Sequence, residues 1–175
     1  MAEEQLAEPL PRRLVHVQAV AAKAATFERV LPVPELEALV AAAWLHDVGY
    51  APSLVDSGLH ALDGGRWLLA NGWPRRIAAL VAHHSCAIFE AEERGLAEEL
   101  RAEFDQEHSP TADALWYSDM TTGPDGEALA VPDRLAEVRR RYGPNHTVTR
   151  FWFRAEPTLL EAVDRTQKLL AGQPM

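Results

Sequence analysis

The stretch that decides the fold is residues 36–50, which read LEALVAAAWLHDVGY. Its apolar side chains recur at i, i+3, i+4 and i+7 from Leu36, which is the spacing of one face of an α-helix. The same face, continued past Ala43, reaches His46 and Asp47. The sequence therefore predicts a core-facing helix that places an imidazole and a carboxylate side by side in the interior.

The remainder of the chain repeats the helical pattern, with proline marking several expected helix starts. These prolines are Pro34, Pro74, Pro110, Pro132 and Pro157. We expect about eight helices, over residues 10–29, 34–48, 58–71, 74–85, 88–105, 110–120, 132–142 and 157–171. Only HTVTRFWF, residues 146–153, has the β-branched and aromatic composition of an extended segment. The prediction is an all-α fold, a single compact bundle over residues 1–175, on which the helix at 157–171 packs.

Composition narrows the class of protein. The 175 residues include 17 Lys and Arg against 26 Asp and Glu, a net charge of −9 that disfavours binding to nucleic acid. The single cysteine, Cys86, excludes an internal disulfide, and MAEEQLAEPL lacks the features of a signal peptide. No apolar run approaches the roughly 20 residues that span a bilayer. We expect a cytoplasmic protein with a small-molecule partner and no membrane or nucleic-acid partner; its oligomeric state, monomer or homodimer, stays open.

Four further helices direct polar residues toward the interior. Burying such ionisable groups without partners would cost several kcal/mol each, whereas a shared cation uses neutral imidazoles and ionised carboxylates together. Several of these residues also lie in the last turn of an expected helix, where the negative end of the helix dipole favours a cation. The sequence predicts a metal site whose ligands are drawn from His16, His46, Asp47, His60, His84 and Asp119.

The order of these residues resembles that of the HD superfamily of metal-dependent phosphohydrolases. The matching motifs are RLVHVQAV with His16, WLHDVGY with His46 and Asp47, and WYSDMTTGPDG with Asp119, and the resemblance covers about residues 12–142. It implies an HD-type helical bundle in which these four residues hold a first metal. It further implies that Asp47 bridges to a second metal, which His60 and His84 hold. The resemblance leaves two roles open for His83. It is either a further ligand of the second metal, or a residue that contacts a metal ligand or the substrate.

The same resemblance implies the chemistry. One or two divalent ions, Fe or Mn by preference and also Zn, Co or Ni, would activate water to attack a phosphomonoester or phosphodiester of a small molecule, such as a nucleotide. Asp47 and His83 are the candidate catalytic proton acceptors. Many relatives carry a lysine where this chain has Tyr50, so positive charge for the phosphate must come from metal and arginine. The candidate substrate contacts are Tyr50, Arg13 and Arg66, and weaker candidates are Arg12, Arg75, Arg76 and Arg134.

Other interpretations remain open at this point. Three consecutive arginines, residues 139–141, lie at the end of an expected helix. Cations there complement the helix dipole, so a structural role is predicted for them. Some HD-fold proteins use a similar histidine-rich di-iron site for oxygenase chemistry. A non-catalytic sensor module that binds metal or nucleotide is the alternative from another functional class.

Overall fold

The computed structural model describes residues 2–172, and these residues form an all-α fold, as predicted, without a β-strand. A single isolated bridge pairs Thr122 with Ala128. The ten α-helices are α1 (Ala2–Leu6), α2 (Pro11–Ala25), α3 (Val33–Leu45), α4 (His60–Ala70), α5 (Arg75–Ala82), α6 (Ala87–Arg94), α7 (Ala97–Glu103), α8 (Pro110–Met120), α9 (Val131–Tyr142) and α10 (Thr147–Leu170). Three short 3-10 turns lie at Thr26–Arg29, Val48–Tyr50 and His84–Cys86. No helix in this part of the chain is long and apolar enough to cross a membrane.

Helix α3 lies at the centre of the fold and packs against α2, α5 and α8. Its inner surface is lined by buried small and aliphatic side chains, which allow neighbouring helices to approach closely: Ala38, Leu39, Ala42, Ala43 and Leu45. The helix ends at Leu45. The next two residues, His46 and Asp47, therefore leave the helix inside the protein instead of at its surface.

The C-terminal region corrects two predictions. Residues 147–153 are helical instead of extended, and Pro157 does not start a helix but lies inside α10. The buried residues Phe151, Ala155 and Leu159 recur every four positions, which is a helical spacing that continues through the proline. Pro157 is exposed and Phe153 is 76% exposed, so the helix tolerates the missing hydrogen bond on its solvent face.

Two further helix boundaries differ from the prediction. The single helix expected at 88–105 is divided into α6 and α7 by Gly95, whose φ of 74° is a left-handed conformation that ends α6. The short helix α1 was not predicted, and its residue Leu6 is fully buried against Val17 and Ala51. The remaining expected helices match α2, α3, α4, α5, α8 and α9 to within a few residues.

Candidate metal centre

All six residues that the sequence marks as metal ligands meet at one buried place. His16 comes from the middle of α2, His60 is the first residue of α4, and Asp119 lies in the last turn of α8. His46 and Asp47 follow α3 directly, and His84 follows α5. The ends of three helices thus converge, and their negative dipole ends favour a cation between them.

The carboxylate of Asp47 lies between two pairs of imidazoles. Its Oδ2 atom is 3.4 Å from Nε2 of His46 and 3.9 Å from Nε2 of His16. Its Oδ1 atom is 3.6 Å from Nε2 of His60 and 3.8 Å from Nε2 of His84. Each oxygen therefore faces a different pair, which is the arrangement of a carboxylate that bridges two ions.

Asp119 lies beside the first pair of imidazoles, His16 and His46. These three residues are here called the first group, and His60 and His84 the second group; Asp47 lies between the two groups. Its Oδ1 atom is 3.0 Å from Nε2 of His16 and 3.8 Å from Nε2 of His46. The hydroxyl of Ser85 donates a hydrogen bond to the other oxygen, Oδ2. Ser85 therefore holds the carboxylate so that Oδ1 faces the two imidazoles.

Three of the four imidazoles are fixed in the tautomer that binds metals through Nε2. Nδ1 of His16 contacts the carbonyl oxygen of Gly123 at 3.0 Å, Nδ1 of His46 that of Ala43 at 2.8 Å, and Nδ1 of His84 that of Val81 at 2.6 Å. A carbonyl oxygen can only accept, so Nδ1 carries the proton and donates it in each case. In the neutral form of each ring, the Nε2 lone pair is then directed at the cluster, the arrangement that carbonyl acceptors impose on metal-binding histidines.

Three of the donor-atom distances fit ligands of a common metal ion. Ligands bound at about 2.1 Å to one ion, at octahedral to tetrahedral angles, lie about 3.0–3.4 Å apart. The separation between Nε2 of His60 and Nε2 of His84 is 3.2 Å, and the His16–Asp119 and His46–Asp47 contacts are 3.0 and 3.4 Å. Nε2 of His46 is buried without a hydrogen-bond partner, a costly arrangement that an ion would relieve. The groups His16–His46–Asp47 and Asp47–His60–His84 could each hold a metal ion.

The histidines of the two groups have pKa values shifted in opposite directions, upward for His46 and downward for His60 and His84. Burial opposes the charged form of His46, but Asp47 and Asp119 outweigh it and raise the pKa of His46 to about 9. For Asp119, the effect of burial is exceeded by its contacts with His16 and His46, which hold its pKa well below the usual range. Burial and the proximity of His84 lower the pKa of His60, and burial and His46 lower that of His84. The second group is therefore a pair of neutral imidazoles at neutral pH.

A strained turn directs His83 and His84 to opposite sides. Helix α5 ends at Ala82, and the following turn places Ser85 and Cys86 at φ values of 45° and 61°, which are rare for residues other than glycine. His84 joins the cluster, whereas Nε2 of His83 lies 2.9 Å from the carbonyl oxygen of Phe104. The structure therefore does not bring His83 to the ligands, where the sequence analysis placed it as a candidate catalytic residue.

Of the predicted substrate contacts, two lie at the cluster and one does not. Arg13 donates from Nη1 to Oδ2 of Asp47 at 2.5 Å, and its guanidinium lies 3.7 Å from the ring centre of Tyr50. Tyr50 in turn stacks on the His60 ring at 3.9 Å. Arg66 is directed elsewhere, where it pairs with Glu103 and Glu99. Those two carboxylates, contributed by α7, account for its position away from the ligands.

Gly49 allows the loop after Asp47 to approach α4. A Cβ atom at this position would lie 2.0 Å from the carbonyl oxygen of His60 and 2.6 Å from the amide nitrogen of Gly64. No side chain fits there. The close contact of the two backbones places His60 opposite Asp47, which explains the glycine in HDVGY.

The cavity at the ligands has further lining residues, most of which the sequence analysis did not assign to the site. Ser85 and the buried Glu90 line it, and so do Arg134, a weak candidate, and Arg141, from the triplet expected to be structural. Burial raises the pKa of Glu90 even though Arg94 pairs with it. The only sequence signal for Glu90 is an acidic residue on the buried face of α6, and for Arg141 there is none, because its position depends on how α9 packs.

Comparison of the chain with protein-family models, with curated proteins and with solved structures gives no match. The geometry of the site and the chemistry of its residues therefore carry the functional argument.

Proposed function

We propose that the chain is a metal-dependent phosphohydrolase that cleaves a phosphate ester of a small molecule, such as a nucleotide. The observation that carries the proposal is the carboxylate of Asp47, which presents one oxygen to His16 and His46 and the other to His60 and His84. Two ions that share such a carboxylate suit phosphoryl displacement, which needs both the attacking and the leaving oxygen to be stabilised. The ordered motifs that resemble the HD superfamily support the same class of reaction.

The donor set favours transition metals over magnesium or calcium. Four imidazoles and two carboxylates suit Fe or Mn, and also Zn, Co or Ni, whereas Mg²⁺ and Ca²⁺ prefer oxygen ligands throughout. When bound, such ions supply a hydroxide nucleophile at neutral pH and stabilise charge on the phosphoryl oxygens. The protein contributes the fixed tautomers and the nearly complete burial of Asp47, which is 4% exposed.

In this proposal Arg13 and Tyr50 bind the phosphate. Burial lowers the pKa of the Arg13 guanidinium, but Asp47 and Tyr50 more than compensate, so this group stays charged. Burial and the charge of Asp47 raise the pKa of Tyr50, so its phenol stays protonated and can donate a hydrogen bond. Together these two side chains supply the charge and the donor that a lysine at position 50 would otherwise provide.

Turnover of phosphate esters by the metal-loaded protein tests the proposal. Protein purified without oxygen and loaded with Mn²⁺ or Fe²⁺ should release phosphate from a nucleotide panel, and Asp47→Asn should lose at least about 100-fold in rate. Asp164→Asn, which changes an exposed aspartate of α10 in the same way, is the matched control. Turnover that requires dioxygen would favour an oxygenase and contradict the proposal, as would full activity in Asp47→Asn.

A further inference from the structure

The cavity at the metal ligands is too small to enclose most substrates. Its volume is about 90 Å³, whereas pockets for small molecules usually measure about 300–1,000 Å³. A second cavity of about 300 Å³ adjoins it. The two share four lining residues, Arg13, His16, Arg134 and Arg141, so a substrate held at the ligands would extend between these side chains into the second cavity.

The second cavity, here called the arginine cavity, is strongly basic. Four arginines line it, and the remaining lining residues are His16 and apolar or proline residues of segments 9–11 and 124. Within residues 2–172, no carboxylate lines this cavity. This local excess of positive charge contrasts with the net charge of −9 of the whole chain. The four arginines are Arg12, Arg13, Arg134 and Arg141.

The four arginines outnumber the three carboxylates with which they form ion pairs. Arg12 pairs with Asp125, and Arg13 pairs with Asp47. Arg134 and Arg141, however, share the single carboxylate of Glu137: Nη1 of Arg134 is 2.6 Å from Oε2, and Nε of Arg141 is 2.8 Å from Oε1.

Arg134 also has an unused donor. Its side chain is 12% exposed, and its Nε atom is buried without a hydrogen-bond partner. A buried guanidinium N–H without an acceptor is costly, and an anion in the cavity would be stabilised by the charges of Arg134 and Arg141, which share one carboxylate. A planar guanidinium also presents paired donors that match phosphate or carboxylate oxygens.

From this arrangement we infer that the arginine cavity binds a second anionic group, carried by the leaving group of the substrate. The inference rests on the proposed function, because it assigns the reacting phosphate to the metal ligands and the second anion to Arg134 and Arg141. The substrate class is then a phosphate ester whose alcohol portion bears a phosphate or a carboxylate. A neutral alcohol portion would leave the arginine cavity unused.

Binding of non-hydrolysable phosphonates to Mn²⁺-loaded protein tests the inference. The probes are alkyl monophosphonates with chains of two to five carbons, and for each length the α,ω-bisphosphonate and the phosphonocarboxylate. Calorimetry should show at least one chain length at which a second anion improves affinity about tenfold or more over the monophosphonate. The bisphosphonate and carboxylate series distinguish the two sources of the anion. Equal affinity at every length in both series overturns the inference.

Three variants and a control assign the effect to the cavity. Arg134→Gln and Arg141→Gln should each reduce the advantage of the second anion to less than about threefold, and Glu137→Gln, which frees both guanidinium groups, should increase it. Arg140→Gln removes an equal charge from the exposed face of the same helix and should leave the advantage unchanged. If the arginine variants keep the full advantage, the anion binds elsewhere and the inference fails.

The outcomes separate this inference from the proposed function. Binding that depends on Arg134 and Arg141 without any phosphate release would support the anion site and contradict the hydrolase. Hydrolysis of phosphate esters without a gain from a second anion would support the hydrolase and overturn the anion site.

Discussion

His83 and His84 are adjacent in the sequence but have different surroundings. His84 donates through Nδ1 to Val81 and faces Asp47 with Nε2, whereas His83 contacts the carbonyl oxygen of Phe104. We expect His84→Ala to lower the metal content from two ions to one and to abolish most turnover. We expect His83→Ala to keep both ions and to lose only about 1 kcal/mol of stability with its hydrogen bond.

Metal analysis of the two purified variants, beside urea unfolding, measures this difference. Because the pair differs only by one position in the chain, each variant is the control for the other. Loss of an ion from His83→Ala with retention in His84→Ala would reverse the assignment.

Metal binding should release a proton from His46. The pKa of His46 is raised to about 9 without metal, so this imidazole is mostly protonated at pH 7–8 and must lose its proton to become a ligand. His60 and His84, whose pKa values are lowered, are already neutral there. The affinity of the first group should therefore rise with pH, by up to about tenfold per pH unit below pH 9.

Calorimetric titration with Mn²⁺ at pH 7.5, in buffers of different ionisation enthalpy, counts the protons. We expect about one proton released at the first group and almost none at the second. An affinity that falls as the pH rises toward 9 would contradict the assigned protonation state.

At the residue scale, the ligands could be predicted because they lie on the core-facing sides of expected helices, as His46 and Asp47 do beyond Ala43 on the stripe that starts at Leu36. The different surroundings of His83 and His84 depend on the turn at Ser85 and Cys86. The positive φ angles of this turn could not be predicted, because neither residue is a glycine. The tertiary contacts that place Arg66 with α7 and Arg141 in the cavity have no local sequence pattern.

At the scale of elements, the position of α4 depends on its contact with the turn at Val48–Tyr50. Gly49→Ala would place a Cβ atom 2.0 Å from the carbonyl oxygen of His60 and so force the two elements apart. We expect a loss of about 1–3 kcal/mol of stability and loss of the ion at the second group, with the first group retained. Metal analysis with thermal unfolding measures both effects.

The matched control for this variant is Gly72→Ala. Gly72 has a φ of 76° and no atom within 4 Å of its added Cβ, so the cost is backbone strain of about 1–2 kcal/mol away from the site. It should keep both ions. A Gly49→Ala protein that keeps two ions would show that the close contact does not place His60.

The helix pattern predicted the elements that carry the ligands better than it predicted the C-terminal part. Helices α3, α5 and α8 each have a proline at the N-cap or in the first turn, as the prediction requires. In α10, the sequence predicts a helix start at Pro157, although this residue lies inside the helix. The proline leaves the carbonyl of Phe153 without its helical hydrogen bond, and the sequence alone does not reveal that both residues face solvent. Exposure, which decides whether an internal proline is tolerated, is a property of the packed molecule.

At the scale of the whole molecule, metal should stabilise the fold as well as the site. The ligands come from α2, α4 and α8 and from residues that follow α3 and α5, so bound ions connect most of the bundle. Ions at 1,000 times their dissociation constant contribute about 4 kcal/mol, which corresponds to a fall in Tm of about 8–16 °C when a chelator removes them. Scanning calorimetry with and without chelator measures the shift, and Asp47→Asn should show almost none. An equal Tm in both states of the natural protein would contradict a structural contribution from metal.

The central claim is that the carboxylate of Asp47 joins two metal ions. Anomalous diffraction from crystals of Mn²⁺-loaded protein tests it most directly. We predict two peaks about 3.5–4 Å apart, one between His16, His46 and Asp119 and the other between His60 and His84, with an oxygen of Asp47 next to each. A single peak, or two peaks of which only one contacts Asp47, would contradict the claim.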